Sequence, residues 1–370
     1  MSSVYLDYNA STPLKPQAIE AAAQAMAMNA NASSVHGPGR AARGLIERAR
    51  ASVADMVGAI PGQVIFTSGG TEANNLAITS AKAAGIGRLI VLSTEHESVA
   101  AAAEASGLDV LDWPVDGDGL ADLAWLEAAL RGGRAMVCLA MANSETGVIQ
   151  PVDALAALTR AAGAWLHVDA VQTAGKLDID FKALGADTLT LSAHKVGGPQ
   201  GVGALVASAN IDVVRVQHGG AHERGKRAGT ENLSGIAGFG AAAKLADPAA
   251  LAPQAAWRDA AARRLKAAGA MIMGEGAPRL SQTLSLVAPG FKSETQVMAM
   301  DLAGYAVSAG AACSSGKVTG SRVIKAMGHE DVACFALRVS GGWATTEEDW
   351  LGFAEAWLQA HARAAGRKVA

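Results

Sequence analysis

Lys195 closes the segment Leu189-Thr190-Leu191-Ser192-Ala193-His194-Lys195, an apolar β-run whose end would carry the amine into a cleft. An amine desolvated there loses proton affinity and becomes a nucleophile suited to Schiff-base chemistry, whereas a surface lysine at a strand end snorkels into water. Ser68-Gly69-Gly70-Thr71-Glu72 follows a strand and opens a helix, so backbone N–H groups and the Thr71 hydroxyl can face an anion such as a phosphate. A plain turn capped by Thr71 is the alternative. Asp169 ends the apolar run His167-Val168-Asp169, where a carboxylate needs a cation or a donor. A protonated pyridine nitrogen is such a partner, and holding that proton keeps the ring an electron sink; a helix-capping aspartate is the plainer reading. Gln172, a turn further on, can reach the ring's phenolic oxygen.

His96, in Ser93-Thr94-Glu95-His96-Glu97-Ser98, follows another strand end, where an imidazole can stack on a ring and move protons near neutral pH, or serve structure alone. Cys313 sits among small residues in Ser308-Ala309-Gly310-Ala311-Ala312-Cys313-Ser314-Ser315-Gly316, which suits an exposed nucleophilic thiol on a loop free to swing. Cys138 and Cys334 lie in apolar surroundings and read as inert. Arg338, inside Leu337-Arg338-Val339-Ser340, should grip a carboxylate, either one of the protein's own or a substrate's. No GxGxxG occurs, which disfavours a dinucleotide. Amine, phosphate cradle, carboxylate and thiol together read as a pyridoxal phosphate enzyme.

These residues need elements that bring them together. From about residue 61 to 206, short β-rich runs alternate with Ala-rich helical segments, which implies a mainly parallel sheet covered by helices, with ligands beyond the carboxyl ends of its strands. Thr71, His96, Ser144, Asp169 and Lys195 all follow such ends. The prolines in Ala246-Asp247-Pro248 through Pro253 break the pattern, so the chain divides into a large domain of 13–247 and a smaller α+β domain of 248–370 joined by residues 1–12. The chain has 370 residues, half of them apolar but only 4% aromatic, so helices must pack closely on small side chains. A formal charge of −3 offers no footprint for nucleic acid. The start lacks the basic and apolar regions of a signal peptide, and no uncharged apolar run reaches the ~18 residues of a membrane span. Three scattered cysteines form neither a disulfide framework nor a metal motif. The expectation is a soluble cytoplasmic protein with no metal and no membrane.

From Tyr5-Leu6-Asp7-Tyr8-Asn9-Ala10 to Thr345-Thr346-Glu347-Glu348 the chain resembles the NifS/IscS-like cysteine desulfurases of the class V aminotransferases. The resemblance implies the fold-type I architecture of pyridoxal phosphate enzymes, with Lys195 carrying the cofactor, His96 stacking as acid/base, Asp169 on the pyridine nitrogen and Gln172 on the ring oxygen. It implies Gly70, Thr71, Ser192 and His194 around the phosphate. The stretch His218-Gly219-Gly220-Ala221-His222 to Gly229-Thr230 resembles a family loop whose threonine reaches the neighbouring subunit's phosphate, so a homodimer is implied. Cys313 falls on the sulfur-accepting cysteine, within a long loop like that of members serving scaffold proteins. L-cysteine would yield L-alanine, its carboxylate held by Arg338, and sulfur would pass as a persulfide to acceptors such as iron–sulfur scaffolds. Selenocysteine lyase or another class V lyase or transaminase is the alternative. The chain departs from the family at Ser144, where an asparagine is usual, at Trp343 in place of an arginine, and at Ala32 and Gly320 in place of prolines.

Overall fold

The computed structural model describes residues 3–310 and 320–366. A short strand, β1 (Val4–Tyr5), precedes the seven strands of the large sheet: β2 (Val64–Thr67), β3 (Arg88–Leu92), β4 (Asp109–Trp113), β5 (Ala135–Ala140), β6 (Trp165–Asp169), β7 (Thr188–Ser192) and β8 (Gly203–Ala207). Their order across the sheet is β2-β8-β7-β6-β5-β3-β4. Only β8 runs against its neighbours; the other six strands point the same way. Such a sheet must be buried on both faces, and every residue of β2, β7 and β8 is buried.

Alternate residues feed two cores. Val64, Phe66, Val137, Leu139, Leu166, Val168, Leu189 and Leu191 pack into one, with helix Leu233–Lys244 and helix Gly37–Met56 over them. Ile65, Leu89, Val91, Met136 and Leu205 pack into the other, under helix Gly70–Ala83. On this second face, β6 and β7 present His167, Thr188 and Thr190 where the neighbouring strands present aliphatic residues, and all three are buried. A polar pocket is thereby set in the middle of an apolar interface.

The edge strand β4 reads unlike the apolar runs of the other strands. Its sequence, Asp109-Val110-Leu111-Asp112-Trp113, is exposed over most of its length and carries two carboxylates, which suit an unpaired edge and mask the strand signal.

A second set of strands follows: β9 (Met271–Ile272), β10 (Thr283–Val287), β11 (Tyr305–Ala306) and β12 (Ala336–Ser340). The order β12-β10-β9 is antiparallel, and β1 pairs in parallel with β11. Leu6 joins Trp350, Phe353 and Trp357 in a core of their own. The N-terminal segment is tied on both sides here: Leu6 N–H donates to Ala306 O, and Ser340 N–H donates to Leu6 O. It then runs to Asn9, whose side-chain amide donates to Ser144 O and Thr283 Oγ1 at 3.0 Å each. Among the described residues, no helix is long and apolar enough to cross a membrane.

The three cations of Arg224-Gly225-Lys226-Arg227 are all engaged. Arg224 donates to Val64 O, Lys226 pairs with Asp212, and Arg227 pairs with Glu72. Beneath them, Glu223 holds left-handed φ of 45° and forms a buried two-pronged ion pair with Arg50 at 2.7 and 2.9 Å; it also accepts the Phe66 N–H. Removing Glu223 leaves the buried Arg50 with Glu47, a largely exposed carboxylate, as its remaining charged partner. Glu223→Ala is therefore expected to destabilise the chain by about 3–5 kcal/mol, measured as a lowered midpoint in chemical denaturation. An unchanged midpoint would show that Arg50 finds other partners.

Candidate active site

Because the strands bearing these residues point one way, their carboxyl ends share one edge of the large sheet, and the residues that follow meet there. Lys195, Asp169, Gln172 and His96 line one cavity. Gly70, Thr71, Ser192 and His194 line it as well, beside Ser144. A larger groove of about 1130 Å³ lies between the helices on the far side, at Leu45, Ser52 and Ala241. The smaller cavity is the one that gathers an amine, a carboxylate and imidazoles, the groups of which catalytic sites are built.

Lys195 follows β7 on a single 3-10 turn, Ala193–Lys195. Its Nζ donates to the backbone carbonyls of Asn9 at 2.5 Å and Ala10 at 2.9 Å. Burial, and then the nearby Arg338 cation, pull its pKa down to about 8, against weaker support from Asp7 and Asp169. Ser192 Oγ lies 2.8 Å from His194 Nδ1, and His194 is pushed down to about 4 by burial and by Lys195, Lys176 and His96. The cavity is thus rich in cations and donors and poor in anions.

Asp169 accepts the Val171 N–H on Oδ1, so it does brace the turn as a capping aspartate would. Its Oδ2 accepts from Asn74 Nδ2 at 2.9 Å. Asn74 in turn accepts from His167 Nε2 at 3.0 Å, and His167 Nδ1 meets Thr188 Oγ1 at 2.9 Å. Burial pushes His167 down to about 4, so the ring is neutral and its Nε2–H fixes which way Asn74 points. His96 caps helix Glu97–Ala105, with Nδ1 accepting the Ser98 N–H at 3.1 Å. Helix Gly70–Ala83 begins at the cavity with Gly69 as its cap, so no side chain covers its N-terminus and Thr71 is not the cap. That end is available to an anion.

The uncapped helix end and surplus of cations suit a phosphate, Asp169 suits a cationic ring nitrogen, and Lys195 suits a carbonyl carbon. The donor set fits pyridoxal phosphate. Arg338 does grip a carboxylate, that of Asp7 at 2.7 Å, and it donates to Ser144 O at 3.3 Å; its Nε is buried without a hydrogen-bond partner. Thr230 is exposed and does not line this cavity. Cys313 lies outside the described residues. Burial raises the Cys138 thiol well above its usual range, whereas Cys334 is half-buried in a 3-10 turn rather than in the core.

Residues 4–350 match the model of the aminotransferase class-V family. The chain belongs to that family. This class-V member is 41% identical to a cysteine desulfurase of Cereibacter sphaeroides over 94% of its own length and 93% of that protein. It is 39% identical to the cysteine desulfurase IscS of an Anaeromyxobacter species, over 94% and 89%. The solved structure of a NifS-like protein from Rickettsia africae superposes with a TM-score of 0.90 at 31% identity, covering 97% of this chain and 99% of that one. SspA in complex with cysteine gives 0.80 at 30% identity, covering 91% and 98%. The architecture is that of fold-type I, and the cofactor of the family is pyridoxal phosphate.

Sequence reasoning passed over Asn9, Asn74, Glu95 and Lys176. Asn74, an asparagine inside a helix, was a signal available to it, since that residue type is a poor helix former without a tertiary partner. Glu95 is fully buried, its pKa raised well above the ordinary by burial and by Asp169, with one oxygen accepting the His96 N–H at 2.6 Å. The Lys195 amine is expected to titrate near 8 in the cofactor-free chain, far below the ~10.4 of an exposed lysine. The check is the pH dependence of its acylation, read by mass spectrometry of the Lys195 peptide; a midpoint near that of the surface lysines would contradict the burial argument.

Proposed function

We propose that this chain is a pyridoxal-phosphate-dependent cysteine desulfurase that converts L-cysteine to L-alanine and receives the sulfur on Cys313 as a persulfide. The observation that carries the reading is the meeting of Lys195, Asp169, His96 and the uncapped helix end at Gly70 in one cavity. The names of its relatives, similar over nearly the whole chain, support the same activity.

In this reading the phosphate would rest on Gly70, Thr71, Ser192 and His194, with Thr230 supplied by the second subunit of a homodimer. Asp169 would hold the proton of the ring nitrogen, and Gln172 would donate to the ring oxygen. Bound there, the cofactor supplies a sink for the electron pair left on the substrate's α-carbon. Arg338, through its unpartnered Nε, would orient the cysteine carboxylate while Asp7 keeps the guanidinium in place. Lys195, with a pKa near neutrality, is suited to take the α-proton and return it, since a base works best when its pKa lies close to the working pH. His96, at the mouth, is placed to move a second proton. The Cys313 thiolate would attack the substrate sulfur: the carbon–sulfur bond breaks, a sulfur–sulfur bond forms, and the carbon left behind takes up a proton. Cysteine and one thiol give alanine and one persulfide, with no outside oxidant.

A division into a large unit of 13–247 and a small one of 1–12 with 248–370 belongs to this proposal, supported by the separate core around Trp350 and Trp357. So do a cytoplasmic location and delivery of sulfur to an acceptor such as an iron–sulfur scaffold. The deciding test is mass spectrometry of the holoenzyme after L-cysteine. One added sulfur is expected on the Cys313 peptide, and Cys313→Ser is expected to keep the yellow colour of the cofactor while losing that mass. Lys195→Ala should lose alanine formation. Full alanine production by Lys195→Ala, or sulfide release undiminished in Cys313→Ser, would sink the mechanism.

A further inference from the structure

Lys176 is buried in the turn after β6, and nothing in the chemistry above uses it. Its Nζ donates to Gln172 Oε1 at 3.2 Å, an amide oxygen rather than a carboxylate. Gln172 donates from Nε2 to Asn9 O at 3.0 Å, and the same oxygen receives the Lys195 amine. Four groups are therefore joined in series: the buried amine, the amide, the Asn9 carbonyl and the reactive amine. We propose that Lys176 is a positioning residue for Lys195, acting by fixing the orientation of the Gln172 amide.

A carboxamide has a donor end and an acceptor end of nearly the same shape, and its partners alone decide which faces where. The Lys176 ammonium only donates, so it draws Oε1 to itself and turns Nε2 toward the cavity. There the NH2 group shares the Asn9 oxygen with Lys195 and offers Lys195 no acceptor. Without a donor at 176, only the Asn9 carbonyl holds Nε2 in place, and the amide can give up that bond to turn its oxygen to the Lys195 ammonium and stabilise it, which holds the proton on the amine the reaction needs free. The charges acting on Lys195 are Arg338, Asp7 and Asp169, those acting on Lys176 are Lys195 and Arg338, and both amines act in turn on His194. Burial and these cations hold Lys176 at about 7. Lys176 keeps N–H donors for Oε1 as a neutral amine too, so its hold on the amide weakens but persists through the Lys195 titration near 8.

This role rests on Lys195 being the reacting amine, but its test needs no turnover. The Lys195 midpoint is measured by acylation and mass spectrometry in the cofactor-free chain, for the natural sequence, Lys176→Met, Gln172→Leu and the double variant. Lys176→Met is expected to raise the midpoint by about one unit, a tenfold loss of neutral amine at fixed lower pH. In the Gln172→Leu background the same substitution is expected to change nothing further. Lys176→Gln, which keeps an N–H donor, should restore the natural value, and Lys176→Leu replaces the Met variant if that does not fold. An unmoved midpoint in Lys176→Met, or an equal rise with and without Gln172, would overturn the proposal while leaving the desulfurase reading intact.

Discussion

The site depends on a buried lysine whose closest partners are two backbone carbonyls rather than a carboxylate. A carboxylate at that distance would hold Lys195 as an ammonium; the carbonyls of Asn9 and Ala10 orient the amine while binding its charge far more weakly. Burial can then act almost unopposed and bring the pKa down to about 8. A backbone carbonyl can be delivered to such a place only by a segment that is itself immobilised. That explains the fastening of the first residues: Leu6 in a core with Trp350 and Trp357, its backbone bonded to both Ala306 and Ser340, and Asn9 stapled to Ser144 and Thr283.

The same constraint links the large sheet to the smaller ones. Strand β7 carries Lys195 out of the seven-stranded sheet, and the segment after β1, which pairs with β11, carries the carbonyls it needs. Arg338, on β12, closes the circuit through Asp7 and the Ser144 carbonyl. It lies close enough to lower the Lys195 pKa, and its pairing with Asp7 prevents that field from being larger. On the opposite side, the buried sequence Thr188, His167, Asn74 and Asp169 does for the carboxylate what Asn9 does for the amine. Each member is satisfied by the next, and the neutral imidazole sets the polarity of the whole chain.

Much of this was legible in the residue order, for a physical reason. In a parallel sheet buried on both faces, strands read as unbroken apolar runs, and chemistry can sit only where they end. Asp169, His96, Thr71 and Lys195 are therefore singled out by position as much as by type, and one cavity gathers them. The edge strand Asp109–Trp113 escaped because an edge must look unlike a core strand. Asn9 and Lys176 escaped for a different reason. Asn9 acts through a carbonyl that every residue possesses, and it meets Lys195 across 186 positions of sequence. Lys176 bonds a neighbour four residues away, but only its depth makes that bond informative, and depth is a property of the packed molecule.

The distribution of charge around the cavity also explains why binding and reactivity are coupled here. Lys195, Lys176 and Arg338 crowd a region in which Asp169 and the already engaged Asp7 are the carboxylates that act on Lys195, and each cation lowers the proton affinity of its neighbours, His194 included. Taken by themselves these residues are electrostatically unbalanced, and a phosphate at the helix end would relieve it. The same imbalance keeps His194 neutral, so its ring can share a hydrogen bond with Ser192 instead of adding one more charge. A single substitution that removed one of these cations would thus be felt at the others, which makes the group a unit rather than a set of independent contacts.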